Sequence, residues 1–210
     1  MNLVIANSPE IAFAISRALN CTDHTECGAY TNDTGTIVIT SVDSGLVGPA
    51  PYRFYTNGSD FIKTLPFIPE KYLYGIRGND GDGNFKVNDE DKVSIRTLRA
   101  LVADAAEVIF ASNEGCMAQA MFAILCSATR TGCRTSRMWL TTLSHRAISY
   151  AYRNREHGRH ITRIARAGFV HHGMDLLFSA NIEQAFAQMY GKRSFPMERM
   201  DIACLLYTSD

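Results

Sequence analysis

No stretch of this 210-residue sequence approaches the roughly 18 consecutive apolar residues of a membrane-spanning helix. The opening MNLVIANSPE has no basic segment followed by a long apolar run, so it does not read as a secretory leader. The phosphate-cradling G-x-x-x-x-G-K-[ST] loop is missing after the first apolar run, which argues against an unrelated nucleotide-binding or phosphotransfer α/β domain. Internal repeats and low-complexity tracts are absent too. Between residues 130 and 166 there is no lysine, and Glu156 is the one acid.

What is present is a chain long enough to bury a sizeable core, with 46% hydrophobic residues and no need of covalent staples. The six cysteines, scattered through apolar or mixed contexts, are expected to be reduced, and the chain to be cytoplasmic. Cys21-x-x-His24-x-x-Cys27 has soft-metal spacing but no evident fourth ligand.

The net charge of zero conceals a strong asymmetry. Residues 1–129 carry 9 basic and 15 acidic side chains, whereas residues 130–166 carry nine arginines against a single acid. An all-arginine block suits phosphate, because the guanidinium fork donates two hydrogen bonds at once. The plainer alternative is a solvated helical face.

Apolar runs at 2–6, 36–40 and 107–112 read as buried strands, and SRMWLTTLS (136–144) as a further strand ending in a turn. Helical spacing follows Pro9, spans 89–106, resumes through Met121, Phe122 and Leu125, and begins again after a Ser144 cap. Strand alternating with helix predicts an α/β fold with a parallel sheet. Residues 43–72 read as a long ordered excursion and GNDGDGN (78–84) as a polar loop. After residue 157 only helical spacing remains, which places a boundary between residues 1–156 and a mainly helical region, 157–210.

Six segments in order resemble the type IA DNA topoisomerases, the topoisomerase III-like branch included. LVIANSPEIAFAISRAL is similar to the family's L-V-I-A-E-K-P-S opening, and LPFIPEKY to L-P-x-I-P-E-K-[FY]. AAEVIFASNEG stands in the place of the D-x-D-x-E strand and turn. RMWLTTLSHRAISYAY, ARAGFVHHGMDLLFSANIEQAF and SFPMERMDIACL fall where three later motifs belong. The resemblance implies a Toprim domain, a four-stranded parallel α/β sheet flanked by helices, followed by the start of the helical domain that lines a single-strand DNA groove. It also implies magnesium, and a tyrosine nucleophile in a later domain beyond residue 210.

At the family's catalytic positions this chain carries Asn7 for the first glutamate, and Ser112, Glu114 and Cys116 for the three acids. One carboxylate beside a thiol is a poor offer to a hard cation that prefers oxygen ligands, so Glu114 is the one candidate metal ligand and magnesium is expected to bind weakly or not at all. Asn7 cannot exchange a proton near neutral pH. Arg137, Arg166 and Arg199 match segments along the DNA path, and single-stranded DNA is the expected partner. Two functions follow: a fragment or relative of a type IA topoisomerase, inactive as this chain, or a catalytically silent DNA-binding or accessory Toprim protein of a mobile element or phage. CLLYTSD breaks off within the last motif and reads as foreign read-through on a truncated chain. Among the remaining candidates, Asp80, Asp82 and Asn84 only partly match a calcium loop. His171 and His172 point about 100° apart on a helix and read as a core-edge pair, while Trp139 reads as core.

Overall fold

Strand β1 (Asn2–Ala6) places four buried residues in succession, and a strand without polar alternation must be covered on both faces. The computed structural model, which describes residues 1–43, 45–50, 54–55, 65–81, 84–112 and 115–190, meets that demand by putting β1 inside the sheet. It pairs in parallel with β4 (Ile37–Ser41) on one side and β9 (Glu107–Ser112) on the other. Beyond β9 lies β10 (Arg134–Trp139), again parallel. Two short antiparallel strands, β3 (Tyr30–Thr31) and β2 (Asp23–His24), extend the β4 side to six strands, an extension the sequence pattern did not announce.

Helices cover both faces. Helix α1 (Pro9–Ala18) starts where the chemistry of Ser8-Pro9 places it. The Ser8 hydroxyl accepts from the Ile11 amide at 3.3 Å, and Pro9 occupies a first-turn position with no amide hydrogen to satisfy. With α4 (His145–Arg153), α1 covers Val4, Ile39, Ile109 and Met138. The Ser144 hydroxyl caps α4 in the same way. On the opposite face α2 (Asp89–Ala103) and α3 (Cys116–Thr129) cover Leu3, Ile5, Val38, Val108 and Phe110. The chain is therefore α/β, with a mostly parallel sheet between helical layers and a helical segment after it.

Between β4 and α2 the described residues make two ribbons: β5 (Val47–Pro49) against β6 (Tyr74–Ile76), and β7 (Gly78–Gly81) against β8 (Asn84–Val87). The polar GNDGDGN segment is thus largely a two-stranded ribbon rather than the loop its composition predicts. Antiparallel pairing satisfies backbone groups whatever the side chains are. Arg77 ties this region down, reaching Asp91 of α2 at 2.9 Å and Asp43 at 2.6 Å.

Helix α5 (Arg159–Tyr190) packs chiefly on α3. Gly168 sits against the Cys116 carbonyl, where a methyl group would overlap the oxygen, and an added carbon at Gly173 would press the Tyr72 ring at 3.2 Å. Farther along, the Asn181 amide pairs with both backbone groups of Phe67, its Nδ2 donating to the carbonyl at 2.8 Å and its Oδ1 accepting from the amide. That contact docks the LPFIPEKY segment on α5.

At the amino end of the strands, Glu107 is enclosed by Arg155 Nη2 at 2.7 Å and Nε at 3.1 Å, with Arg134 Nε at 3.8 Å. Arg155's hydrogen bonds hold the Glu107 carboxyl below its ordinary range, outweighing burial.

Two outcomes follow from this packing. Gly168→Ala should lower stability by about 1–3 kcal/mol, because α5 must lift from α3 to admit a methyl group; a thermal melt equal to the parent would contradict the close crossing. Glu107→Gln should cost about 1.5–3 kcal/mol at neutral pH. Since the folded-state pKa is the lower one, the ion pair contributes fully above the ordinary value of 4.5 and is lost as pH falls through the folded value. The difference in melting temperature between parent and variant should accordingly narrow as pH falls below 4.5 and through the lowered folded-state value.

Candidate functional site

In an open parallel sheet the carboxyl ends of the strands are where ligands gather, since loops leave there and helices begin there. Asn7 directly follows β1 and Ser112 ends β9. Ala6 and Ala111 are register partners, so the two positions are neighbours at that edge. Cys116, half-buried, opens α3 just beyond. The fold thus brings Asn7, Ser112 and Cys116 to one end of the sheet. Asn113 and Glu114 lie outside the described residues, as does Arg199.

Each described position is committed to structure. The Asn7 Oδ1 atom is buried with no hydrogen-bond partner among the described residues, at a cavity of about 20 Å³ lined chiefly by apolar side chains such as Phe110, Phe122 and Leu125, with Asp43, already paired with Arg77, the one carboxylate among its described walls. Ser112 is fully buried, and its carbonyl accepts from Arg137 Nη2 and from the Leu140 amide, both at 3.3 Å. The Cys116 carbonyl is the surface on which Gly168 rests. An amide oxygen in an apolar niche, a hydroxyl and a thiol do not fit a small hexacoordinate cation that wants carboxylate and water. Among the described residues no group of three His, Cys, Asp or Glu side chains could hold a metal ion.

Arg137 is wholly buried. Its guanidinium carbon lies 4.6 Å from the Phe110 ring centre and 4.3 Å from that of Trp139, and Phe110 stacks on Phe122 at 4.7 Å. Cross-strand register puts Arg137 beside Phe110 on the same face, and Trp139 follows two residues on. A desolvated cation against two aromatic faces is held by about 2 kcal/mol or more. In this arrangement Arg137 stiffens the sheet's edge and is not presented to solvent. Sequence offered one unread signal, the alternation Arg137-x-Trp139 beside Phe110.

The nine arginines therefore divide. Arg134 and Arg155 converge on Glu107 at the amino end of the strands, and Arg134 also meets His157 at 2.8 Å. Arg130 closes α3 in the left-handed conformation, its φ being 58°. Arg146, Arg153, Arg159, Arg163 and Arg166 are exposed on α4, at its end and on α5. Arg159, Arg163 and Arg166 follow helical spacing along one stripe of α5, and the stripe continues through Val170, Met174 and Phe178, all about half exposed or more.

Other candidates resolve differently. His172 is buried and His171 exposed, as their angular separation requires. Cys21 is buried and its thiol pushed up to about 11, whereas Cys27 is exposed and the His24 ring lies tilted against Tyr30, centroids 4.8 Å apart. Asp80 and Asn84 fall in the β7–β8 ribbon, and Asp82 lies outside the described residues. No described helix is long and apolar enough to cross a membrane.

Sheet order, helical layers and the trailing helix define a mostly parallel α/β fold followed by a helical segment. Among solved structures, the chain is similar to full-length topoisomerase I from Thermotoga maritima, with a TM-score of 0.58 and 15% identity. The likeness covers 95% of this chain and 27% of that one, so the chain spans about a quarter of that structure's length. No family model and no curated protein matches the chain.

An unpartnered amide oxygen in an apolar niche costs stability that a hydrocarbon would not. Asn7→Leu should therefore raise stability by about 1 kcal/mol, read as a higher melting temperature; a lower one would mean that Asn7 is held by bonds worth more than its niche costs.

Proposed function

We propose that this chain is a DNA-binding portion or relative of a type IA DNA topoisomerase, and that alone it does not break and rejoin DNA. The observation that carries the reading is the stripe on α5. Three exposed guanidinia, Arg159, Arg163 and Arg166, lead into exposed Val170, Met174 and Phe178 on the same helical face. Guanidinia take backbone phosphates and an adjacent apolar or aromatic surface takes unstacked bases, a combination that favours single strands over a closed duplex. The likeness to topoisomerase I adds support at the level of fold. Magnesium, required in the family, is not expected to be held here by Asn7, Ser112 and Cys116.

A second reading, a catalytically silent accessory module of the same fold, is favoured by those same three substitutions at positions where the family carries acids. Mixing the chain with the tyrosine-bearing remainder of a type IA enzyme separates the two. Restored cleavage supports the first, and DNA binding without cleavage the second.

Both readings share a prediction about binding. Fluorescence anisotropy with a labelled single-stranded oligonucleotide should give affinity that falls steeply with salt and depends little on sequence. Arg163→Gln with Arg166→Gln should flatten the log–log salt slope by about 1.4, at roughly 0.7 for each phosphate no longer neutralised. Arg137→Gln, altering a buried residue, should leave the slope unchanged in the folded fraction. An unaltered slope in the double variant, or relaxation of supercoiled DNA by the chain alone, would overturn the proposal.

A further inference from the structure

Helix α4 buries one side against the sheet and α1 and leaves the other bare. Ile148 and Ala151 are buried, whereas Arg146, Tyr150 and Arg153 are exposed, Tyr150 to 69%. At about 100° per residue the three exposed side chains fall within an arc of roughly 60°. Tyr150 sits between the two arginines, about 6 Å along the axis from Arg146 and about 4.5 Å from Arg153.

This trio differs from the rest of the arginine block in being unengaged. Arg134 and Arg155 answer Glu107, Arg155 also lies over the Tyr152 ring at 5.0 Å, and Arg137 is buried between two rings. Among the described residues, Arg146 and Arg153 form no ion pair and no side-chain hydrogen bond. Asn154 bonds to the Tyr150 carbonyl at 2.9 Å, which leaves the ring and hydroxyl of Tyr150 without a partner among those residues. The one acid between residues 130 and 166, Glu156, lies beyond the end of α4 with its carboxylate 3.5 Å from His160. The bare face is therefore positive, and its single ring is open to solvent.

A guanidinium offers phosphate a planar fork, and an aromatic ring offers an unpaired base a surface to stack on. A ring set between two free guanidinia matches one nucleotide unit, with the base on Tyr150 and the phosphates on either side within reach of the arginines. A closed duplex keeps its bases stacked on one another and presents only its phosphates to such a face. We propose that the Arg146, Tyr150 and Arg153 face of α4 is a second contact for single-stranded DNA, with Tyr150 stacking on one base and the two arginines taking the flanking phosphates. The proposal takes its ligand from the functional reading above and adds a site on a different helix from the α5 stripe.

The test uses the full chain, fluorescence anisotropy, and two labelled probes of equal length: oligothymidylate and its abasic counterpart, which keeps the phosphates and lacks the bases. Tyr150→Ala should weaken oligothymidylate binding about fivefold or more, leave abasic binding unchanged, and leave both salt slopes intact. Tyr150→Phe, which keeps the ring, should bind as the parent does. Arg146→Gln with Arg153→Gln should flatten the salt slope on both probes by about 1.4. Should a variant fail to fold, the ring proton resonances of Tyr150 in the parent decide instead, moving with oligothymidylate and staying still with the abasic probe. Parent-like binding by Tyr150→Ala, an equal loss on the abasic probe, a loss in Tyr150→Phe, an unaltered slope in the arginine pair, still ring resonances, or a preference for duplex would overturn the proposal. If the α4 variants act and Arg163→Gln with Arg166→Gln does not, the α5 stripe falls alone; the converse result sinks the α4 site alone. No binding of oligothymidylate by the parent at low salt would overturn both.

Discussion

The approach of α5 to α3 over Gly168 sets the position of the long helix and of what that helix carries. A glycine lets two helix backbones come closer than any side chain would allow, so the crossing point is fixed by sterics rather than by a specific bond. From that point the helix carries its other residues to defined places. One turn on, His172 borders a cavity of about 700 Å³ beneath the β5–β6 ribbon; Gly173 meets Tyr72; Asn181 fastens the backbone of Phe67. With that buried side fixed, Arg159, Arg163 and Arg166 face outward. One contact of van der Waals origin thus orients both the basic stripe and the cavity wall.

Much of the sheet was legible from the sequence because its strands are continuous apolar runs. Asn2–Ala6 and Glu107–Ser112 agree with the runs that predicted them, and the Ser8 and Ser144 caps fall where serine chemistry places them. Legibility fails where pairing rather than side-chain pattern makes the structure. Strands β2 and β3 are two residues each, too short to show a period, and β7, one side of the β7–β8 ribbon, is built from residues typical of loops. Strand β10 begins at Arg134, two residues ahead of the predicted run, because Arg134 and Thr135 are exposed and carry no apolar signal.

The candidate site was legible in position and much less so in environment. Motif spacing brought Asn7, Ser112 and Cys116 to one edge, and the register of β1 and β9 agrees with that placement. Spacing could not reveal that Asn7 would face an apolar niche, or that an arginine between a serine and a methionine would be wholly buried. Charge counting treated nine arginines as one patch. Three-dimensional pairing removes Arg155, and in part Arg134, to serve Glu107, and removes Arg137 to serve the aromatic cluster. Sequence records charge, but it does not record which charges are already answered.

The edges of the main sheet bear on how copies of this chain behave together. β10 is a flanking strand, and an open strand edge is a template for joining another molecule. Here the chain closes its own edge: Arg137 and Glu156 exchange two backbone hydrogen bonds, at 2.7 and 2.8 Å, after α4 has turned back. The opposite edge is β2, only two residues long, both exposed, one of them an aspartate. An incoming strand would meet a rung at mid-strand already taken on one side and a stub bearing a carboxylate on the other. Both edges are thereby poor templates for adding another strand, without any residue set aside solely for that purpose.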